Sequence, residues 1–215
     1  MLRPPCNKSL TMWHPLSDRL LYARLVHRHG LISIFVAYAL TNEAGDSNKE
    51  LFYDELSASM QIVHTNDELL VIDDLYAVSG VVRTDFETVV GPHGSGKVND
   101  NSERLLSFCT PFGPLSQVAG SNASTFTDTW IFNDGFTRKE LDHILARNHS
   151  LVKTCRAFRG AESPAKPDRP MLITSIALTL RLCALGGPQP KACCAANIWV
   201  PRTCQIQCSH CSEQI

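Results

Sequence analysis

The sequence has almost no excess of charge of either sign. Among its 215 residues, 20 Lys and Arg stand against 21 Asp and Glu, which gives a formal net charge of −1. A chain this close to neutrality cannot bind nucleic acid through bulk electrostatic attraction, so any such contact needs a local basic patch. Apolar residues make up 44% and charged residues 19% of the chain, which excludes wholesale disorder.

Long apolar runs are also missing. The longest candidate, Met171 to Leu180, ends at Arg181 and falls short of the roughly 20 apolar residues that a membrane-spanning helix needs. The N-terminal stretch has no apolar segment of signal-peptide length. We therefore expect no membrane contact and an intracellular protein, in the nucleus or the cytoplasm.

The nine cysteines do not form the even set of a disulfide-rich secreted domain, and six of them lie after Arg181. Residues 182–215 are also poor in charge and contain several glycines and prolines. We predict a boundary near Arg181, followed by a Cys-rich tail that is mostly coil. Four possible zinc ligands crowd together in this tail, but zinc sites usually have two separated pairs, so inert thiols are favoured over a zinc site at Cys204, Cys208, His210 and Cys211.

The body of the chain mixes strand and helix patterns. A capping-box pattern at Ser47 to Glu50 predicts a helix that runs to about His64, and Asn101 is placed to cap a second helix that Pro111 ends. Strands outnumber helices and often follow one another directly, which indicates a mixed α/β layered sandwich and not a doubly wound parallel sheet. The strands are predicted at residues 20–26, 31–40, 68–72, 126–132, 141–146, 151–159 and 172–180.

Two groups of polar residues stand out against these patterns. Asp73 and Asp74 follow the apolar run at residues 68–72, where carboxylates can hold a divalent cation or orient a water, or can simply cap a turn. Asp142 and His143 are adjacent in a predicted strand and must point to opposite faces. One of the two therefore faces the core or the sheet rim, as a functional group or as a satisfied structural one.

A third group has the glycine spacing of a phosphate-binding loop. Gly91 to Lys97 ends in Gly-Lys, but the next residue is Val98 where such a loop needs Ser or Thr for magnesium. We therefore interpret this segment as a loop and not as a nucleotide site.

Several segments occur in the order found in one known family. Residues 73–77 (Asp-Asp-Leu-Tyr-Ala) stand where that family reads G-D-[FL]-N-A, and residues 99–105 are similar to its N-x-N-G-x-R-L segment. Leu141-Asp142-His143 resembles its [IL]-D-[HY] signature, and Pro167-Asp168-Arg169 stands where it reads S-D-H. On these motifs the chain resembles the endonuclease/exonuclease/phosphatase superfamily, above all the endonucleases of LINE-type retrotransposons and the related craniofacial development protein 2-like sequences. Further matching segments are residues 18–25, 32–41, 49–53 and 129–130.

The resemblance implies an α/β (α+β) fold, a mixed-sheet four-layer β-sandwich flanked by helices. It covers residues 13–181, after an N-terminal extension at residues 1–12 and before the tail at residues 182–215. The match begins at about the third strand of the family fold, so the domain is expected to be partial and N-terminally truncated. Lost strands would expose sheet edges, which predicts poor solubility or a protein partner that covers them.

The resemblance also implies Mg²⁺-dependent hydrolysis of DNA phosphodiesters. Its catalytic acids correspond to Asp74, which would position the attacking water, Asp142, which would orient the family histidine, and Asp168, which would complete the phosphate and metal site. Asp74 and Asp168 are the implied metal ligands. Three positions depart from the family pattern, with Tyr76 for its Asn, Arg169 for its His and Asp73 for its Gly.

These departures remove the amide beside the phosphate and the titratable imidazole. We therefore expect the remnant of a Mg²⁺-dependent DNA endonuclease that is catalytically impaired or inactive, in which Mg²⁺ retention is doubtful. Two alternatives stay open. One is a non-enzymatic interaction or scaffold protein with the same fold, and the other is an active phosphodiesterase in which Arg169 stabilises charge and Asp73 replaces a metal ligand.

Overall fold

In the computed structural model of the chain, two helices and twelve strands are described. The helices are α1 (Asp46–Ser59) and α2 (Asp100–Cys109), each followed by a short 3₁₀ turn. The strands are β1 (Leu10–Pro15), β2 (Leu20–His27), β3 (Gly30–Ala37), β4 (Glu68–Asp74), β5 (Ser116–Gln117), β6 (Trp130–Ile131), β7 (Arg138–Lys139), β8 (Asp142–Ala146), β9 (Val152–Phe158), β10 (Met171–Ala177), β11 (Ala195–Val200) and β12 (Gln205–Ser209). The structure describes residues 10–27, 30–78, 80, 89, 96–112, 116–117, 130–131, 136–148, 152–158, 171–177, 195–200 and 205–209.

The largest sheet has six strands in the order β1-β2-β3-β4-β8-β5. β3 and β4 pair in parallel, whereas the other neighbours in this sheet pair antiparallel. The parallel pair needs a crossover, which α1 provides, and β2 and β3 form a hairpin with His27 opposite Gly30. The predicted mixed sheet and α+β class are confirmed. In the described ranges, neither helix is long and apolar enough to cross a bilayer.

Both faces of this sheet are buried around β4. The side chains of Leu69 and Val71 belong to the main core, together with apolar residues of α1 and α2, while Leu70 and Ile72 alternate to the opposite face. All four are fully buried. An apolar run without polar alternation predicts a strand covered on both sides, and this prediction is confirmed. β4 therefore serves as a rigid support for the residues at its carboxyl end.

Helix α1 begins one residue before the predicted cap. Gly45 is its N-cap and has no side chain to donate or accept, so the predicted capping box at Ser47 to Glu50 is wrong. The backbone of Gly45 is extended, and its carbonyl accepts the first intrahelical bonds from Asn48 and Lys49. The helix ends at Ser59 and continues as a 3₁₀ turn to Ile62, close to the predicted end.

Helix α2 is capped by Asn99 and not by Asn101 as predicted. The side chain of Asn99 accepts from the backbone N–H of Ser102, and the Ser102 hydroxyl accepts from the backbone N–H of Asn99, which is a complete capping box. Asn101 lies inside the first turn, where its buried side chain serves another purpose described below. The helix ends at Cys109, before Pro111, as predicted.

Within residues 182–215, the tail that is predicted to be mostly coil, the structure describes two strands, β11 and β12. β11 and β12 extend an antiparallel sheet in the order β12-β11-β10-β9, which crosses the predicted boundary at Arg181. β11 pairs with β10, and β12 pairs in turn with β11. Of the four possible zinc ligands, for which inert thiols are the favoured interpretation, Cys204, His210 and Cys211 lie outside the described residues.

Candidate active site

Two of the three predicted catalytic acids lie opposite each other in the six-stranded sheet. Asp74 is the last residue of β4 and Asp142 is the first residue of β8, and the antiparallel register pairs them directly. Residues paired in this way present their side chains on the same face of the sheet. Asp74 is buried and Asp142 is partly buried. The structure therefore brings together the two carboxylates that the motifs single out on these strands.

The next pair in the register places Asp73 opposite His143 on the other face. His143 is buried, and its Nε2 lies 2.6 Å from the carbonyl oxygen of Ala77. Since a carbonyl only accepts, Nε2 carries the hydrogen and donates. The prediction that one residue of the Asp142-His143 pair faces the interior is confirmed, and His143 is that residue. It holds the segment that follows Asp74.

That segment, residues 75–78, is fixed from a second side by the N-terminus of α2. The Asn99 side chain donates to the Tyr76 carbonyl at 2.8 Å. The Ser102 hydroxyl accepts from the Val78 N–H at 2.8 Å and donates to the Val78 carbonyl at 2.7 Å. The side chain of Asn101 donates to the Leu40 carbonyl at 2.8 Å, which ties the end of β3 to the same site. We call residues 75–78 the site loop.

The backbone enters the site loop through an unusual conformation. Asp73 has φ of 118° and Tyr76 has φ of 49°, both in the region that favours glycine. The family reads Gly at the position of Asp73, so the substitution puts a branched carboxylate where the chain needs glycine. Burial, and to a smaller extent the neighbouring Asp74 charge, raise the pKa of the Asp73 carboxyl to about 7, against a backbone hydrogen bond from Asp74 that lowers it.

Aromatic residues flank the carboxylates at this edge of the sheet. The Tyr76 hydroxyl lies 3.3 Å from the Tyr38 hydroxyl, and the two rings meet edge to face with centroids 6.0 Å apart. The backbone N–H of Tyr76 also donates to the Asp74 carboxylate at 3.3 Å. Where the family carries a compact Asn amide, this chain therefore carries a ring that packs against a second tyrosine.

The remaining predicted site residues, Asp168 and Arg169, lie outside the described residues. Within the described ranges, no three His, Cys, Asp or Glu side chains come close enough together to hold a metal ion. Asp74 and Asp142 offer two carboxylates, and Asp74 already accepts the Tyr76 N–H. With Asp168 outside the described residues, the Mg²⁺ site implied by the motifs stays a prediction.

Sequence reasoning missed the residues that hold the site loop. Asn99 and Ser102 have the three-residue spacing of a capping box, and this spacing could have predicted the start of α2. Their bonds to Tyr76 and Val78 join positions more than twenty residues apart, which no local pattern reveals. His143 was noticed through its strand alternation, but its acceptor at Ala77 was not predictable.

Comparisons with known proteins agree with this architecture. No family model matches the chain. Craniofacial development protein 2 of Bos taurus is 25% identical over 169 residues, which are 77% of this chain and 28% of that protein. Craniofacial development protein 2 of Tragulus javanicus is likewise 25% identical over 77% of the chain, and covers 29% of that protein. The chain thus spans under a third of the length of these curated relatives.

A solved structure shares the fold. The endonuclease domain of TRAS1, a telomere-specific non-LTR retrotransposon, superposes with a TM-score of 0.56 at 14% identity and covers 80% of this chain and 70% of that chain. At that identity the likeness concerns the fold, while the similarity to craniofacial development protein 2 concerns the sequence. Together they show an endonuclease-like fold and a sequence similarity to craniofacial development protein 2, in agreement with the resemblance drawn from the motifs.

Proposed function

We propose that the chain is an endonuclease-fold protein that contacts nucleic acid but hydrolyses phosphodiesters at a strongly reduced rate. One observation carries this proposal. Tyr76 stands where the family reads Asn, and its hydroxyl and ring pack against Tyr38 beside Asp74. A phenol held in this way cannot replace a compact amide that donates to a phosphate oxygen and to the attacking water.

The energetic argument concerns charge in the transition state. Removing one donor that stabilises developing charge typically costs on the order of 10²–10³ in rate. Here the Asn is lost, and Arg169 stands at the family His and cannot act as an acid or base near neutral pH. The rate losses from several substitutions in one site do not add simply. Each remaining catalytic group nevertheless acts without the groups that would support it.

Other features support retention of the framework without its chemistry. Asp74 and Asp142 still face each other across β4 and β8, and the site loop is held by the polar side chains of His143, Asn99, Ser102 and Asn101. The described residues do not assemble three metal ligands. The site is then a nucleic-acid surface in which catalysis is impaired by the loss of the Asn amide at Tyr76.

A plasmid-nicking assay with Mg²⁺ tests this proposal. Wild type and Asp74→Ala are incubated with supercoiled plasmid, and we expect both to show the same background nicking. Asp54→Ala, which removes an exposed carboxylate from α1, serves as a matched control. Nicking of most of the plasmid by wild type and Asp54→Ala that disappears in Asp74→Ala would show an efficient nuclease and overturn the proposal.

A further inference from the structure

We infer that Tyr38, Tyr76 and Arg19 form a stacking site for an unpaired nucleobase and its phosphate, so that single-stranded DNA is held without being cut. The inference deepens the proposed function and rests on it, because a site that cleaves its ligand does not retain it. It starts from a feature of this chain, the ring that replaces an amide at Tyr76.

The topology places the two tyrosines at one edge of the sheet. Tyr38 directly follows β3 and Tyr76 follows β4, and these strands are parallel neighbours. Their rings stand at 73° to each other with hydroxyls 3.3 Å apart, and both side chains are only partly buried. We call this partly exposed pair of rings the notch, and its exposed part offers aromatic surface to a ligand from solvent.

A planar cation lies over the same notch. The guanidinium carbon of Arg19 is 5.6 Å from the Tyr38 ring centroid, within the range of a cation–π contact. Arg19 also lies within 3.5 Å of the carbonyl oxygens of Tyr38 and Ala39, and a third of its side chain stays exposed. A guanidinium held in this way can donate to a phosphate oxygen and stack beside a base.

The notch is built before a ligand arrives. The carbonyl of Tyr76 accepts from Asn99 at 2.8 Å and from Asn101 at 3.4 Å, and His143 fixes the next residue. A surface that is already ordered loses little conformational entropy on binding. More of the free energy of its contacts with the ligand therefore appears as affinity. The hydrogen bonds that hold the site loop therefore support a role for Tyr76 in binding, in addition to its packing against Tyr38.

The chemistry favours an unpaired base over a duplex. Bases in a duplex are stacked on each other, so only an unpaired or extruded base can offer its face to a tyrosine. Stacking tolerates any sequence, and it needs less positive charge than a groove that follows many phosphates. A chain with a net charge of −1 suits a mode in which rings carry the affinity and one arginine meets the phosphate.

Fluorescence anisotropy with a short labelled oligothymidine tests the inference. The titration is performed in EDTA at low salt, where hydrolysis cannot contribute, and a duplex that contains the same strand is the comparison ligand. We expect wild type to bind the single strand more tightly than the duplex. Tyr76→Ala should weaken that binding by about fivefold or more, whereas Tyr76→Phe should keep most of it.

Two further variants keep the test decisive. Tyr76→Asn removes the ring but suits the left-handed backbone at this position, so it should fold normally and bind as weakly as Tyr76→Ala. Trp13→Ala removes an exposed ring from β1 and should leave the affinity unchanged. Equal binding of single strand and duplex, or unchanged affinity in Tyr76→Asn, would overturn the inference.

The two proposals can fail separately. Nicking that depends on Asp74 would overturn reduced hydrolysis, and because the titration excludes metal it would still report whether the tyrosines hold a base. Absence of single-strand binding in EDTA would overturn the stacking site and leave the nicking result intact. Loss of affinity in Trp13→Ala equal to that in Tyr76→Asn would assign binding to exposed aromatic surface in general and would also overturn the site.

Discussion

At the scale of single residues, Asp73 opposes the fold around it. Its φ of 118° belongs to glycine, and its carboxyl is partly buried beside Asp74. A side chain at such a backbone conformation costs on the order of 1–3 kcal/mol. The surrounding strand and the hydrogen bonds that hold the site loop impose this conformation. The strain therefore lowers the free energy of unfolding of the whole domain.

Replacing Asp73 with glycine should therefore stabilise the protein. We expect Asp73→Gly to raise the free energy of unfolding by about 1–3 kcal/mol, because glycine adopts positive φ without strain. Urea denaturation followed by circular dichroism measures the change. A variant that is less stable than wild type at neutral pH would show that the backbone at this position carries no strain.

The stabilisation gained by replacing Asp73 should also depend on pH. The pKa of Asp73 is raised from 3.8 to about 7, so between these values the folded chain keeps a proton that the unfolded chain releases. The free energy of unfolding therefore falls as pH rises through this range, and the full penalty applies above about pH 7. Asp73→Asn, which removes the titration and keeps a side chain, should stabilise more at pH 8 than at pH 4.

Single residues also show how far sequence reasoning reaches into the site. The position of Asp74 at the carboxyl end of a buried strand was predictable from the apolar run before it. Its pairing with Asp142 was not, because strand pairing is non-local. The partner of His143 was not predictable, because the contact joins residues far apart in the chain. Asp168 stays a prediction, since it lies outside the described residues.

At the scale of elements, the N-terminus of α2 has two tasks. Its capping box satisfies the first backbone N–H groups of the helix, and the same Asn99 and Ser102 side chains fix the backbone of the site loop. Ser102 is buried, and its hydroxyl accepts from the N–H of Val78 and donates to the carbonyl of Val78. The helix and the candidate site are thus stabilised by one polar cluster.

Removing that hydroxyl should destabilise the helix and the site loop together. Ser102→Ala leaves the buried N–H and C=O of Val78 without this partner, which we expect to cost about 1–3 kcal/mol. Ser107→Ala, at an exposed position of the same helix, is the matched control and should change stability by less than about 0.5 kcal/mol. Thermal denaturation compares the two, and equal melting temperatures would show that water replaces the hydroxyl.

Elements also show why some boundaries were missed. Periodicity identified α1, α2 and the strands β2, β3, β4 and β8, because each buries a regular apolar face. Both caps were misplaced by two residues, since Ser47 and Asn101 fit a capping pattern as well as Gly45 and Asn99 do. At α1 the extended backbone of Gly45 sets the start of the helix, and no side chain caps it.

At the scale of the whole molecule, the mixed sheet was predictable and its full extent was not. The order of strands and helices indicated layers, and the parallel β3–β4 pair with antiparallel neighbours agrees with it. β11 and β12 join their sheet by pairing that begins at β10, beyond the reach of local composition. Strand pairing is non-local, so the tail could be read as coil until its partner was known.

The six-stranded sheet ends on one side at β1, an edge strand with exposed apolar side chains. Trp13 is 59% exposed and Met12 is 37% exposed. In the described part of the chain, β1 pairs with β2 alone, so its outer edge offers backbone donors and acceptors. An exposed edge with apolar side chains is a template for pairing with another chain. This feature supports the predicted dependence on a partner or poor solubility.

A charge on this edge should therefore reduce self-association. We expect wild type to form larger species as its concentration rises, and Trp13→Lys to stay smaller, because a lysine disfavours edge-to-edge pairing and removes apolar surface. Leu51→Lys, which charges an exposed position of α1, removes a similar apolar patch away from the edge and should change little. Sedimentation velocity over a concentration series measures this. A monodisperse wild-type monomer, or equal gains from both variants, would show that the β1 edge does not drive association.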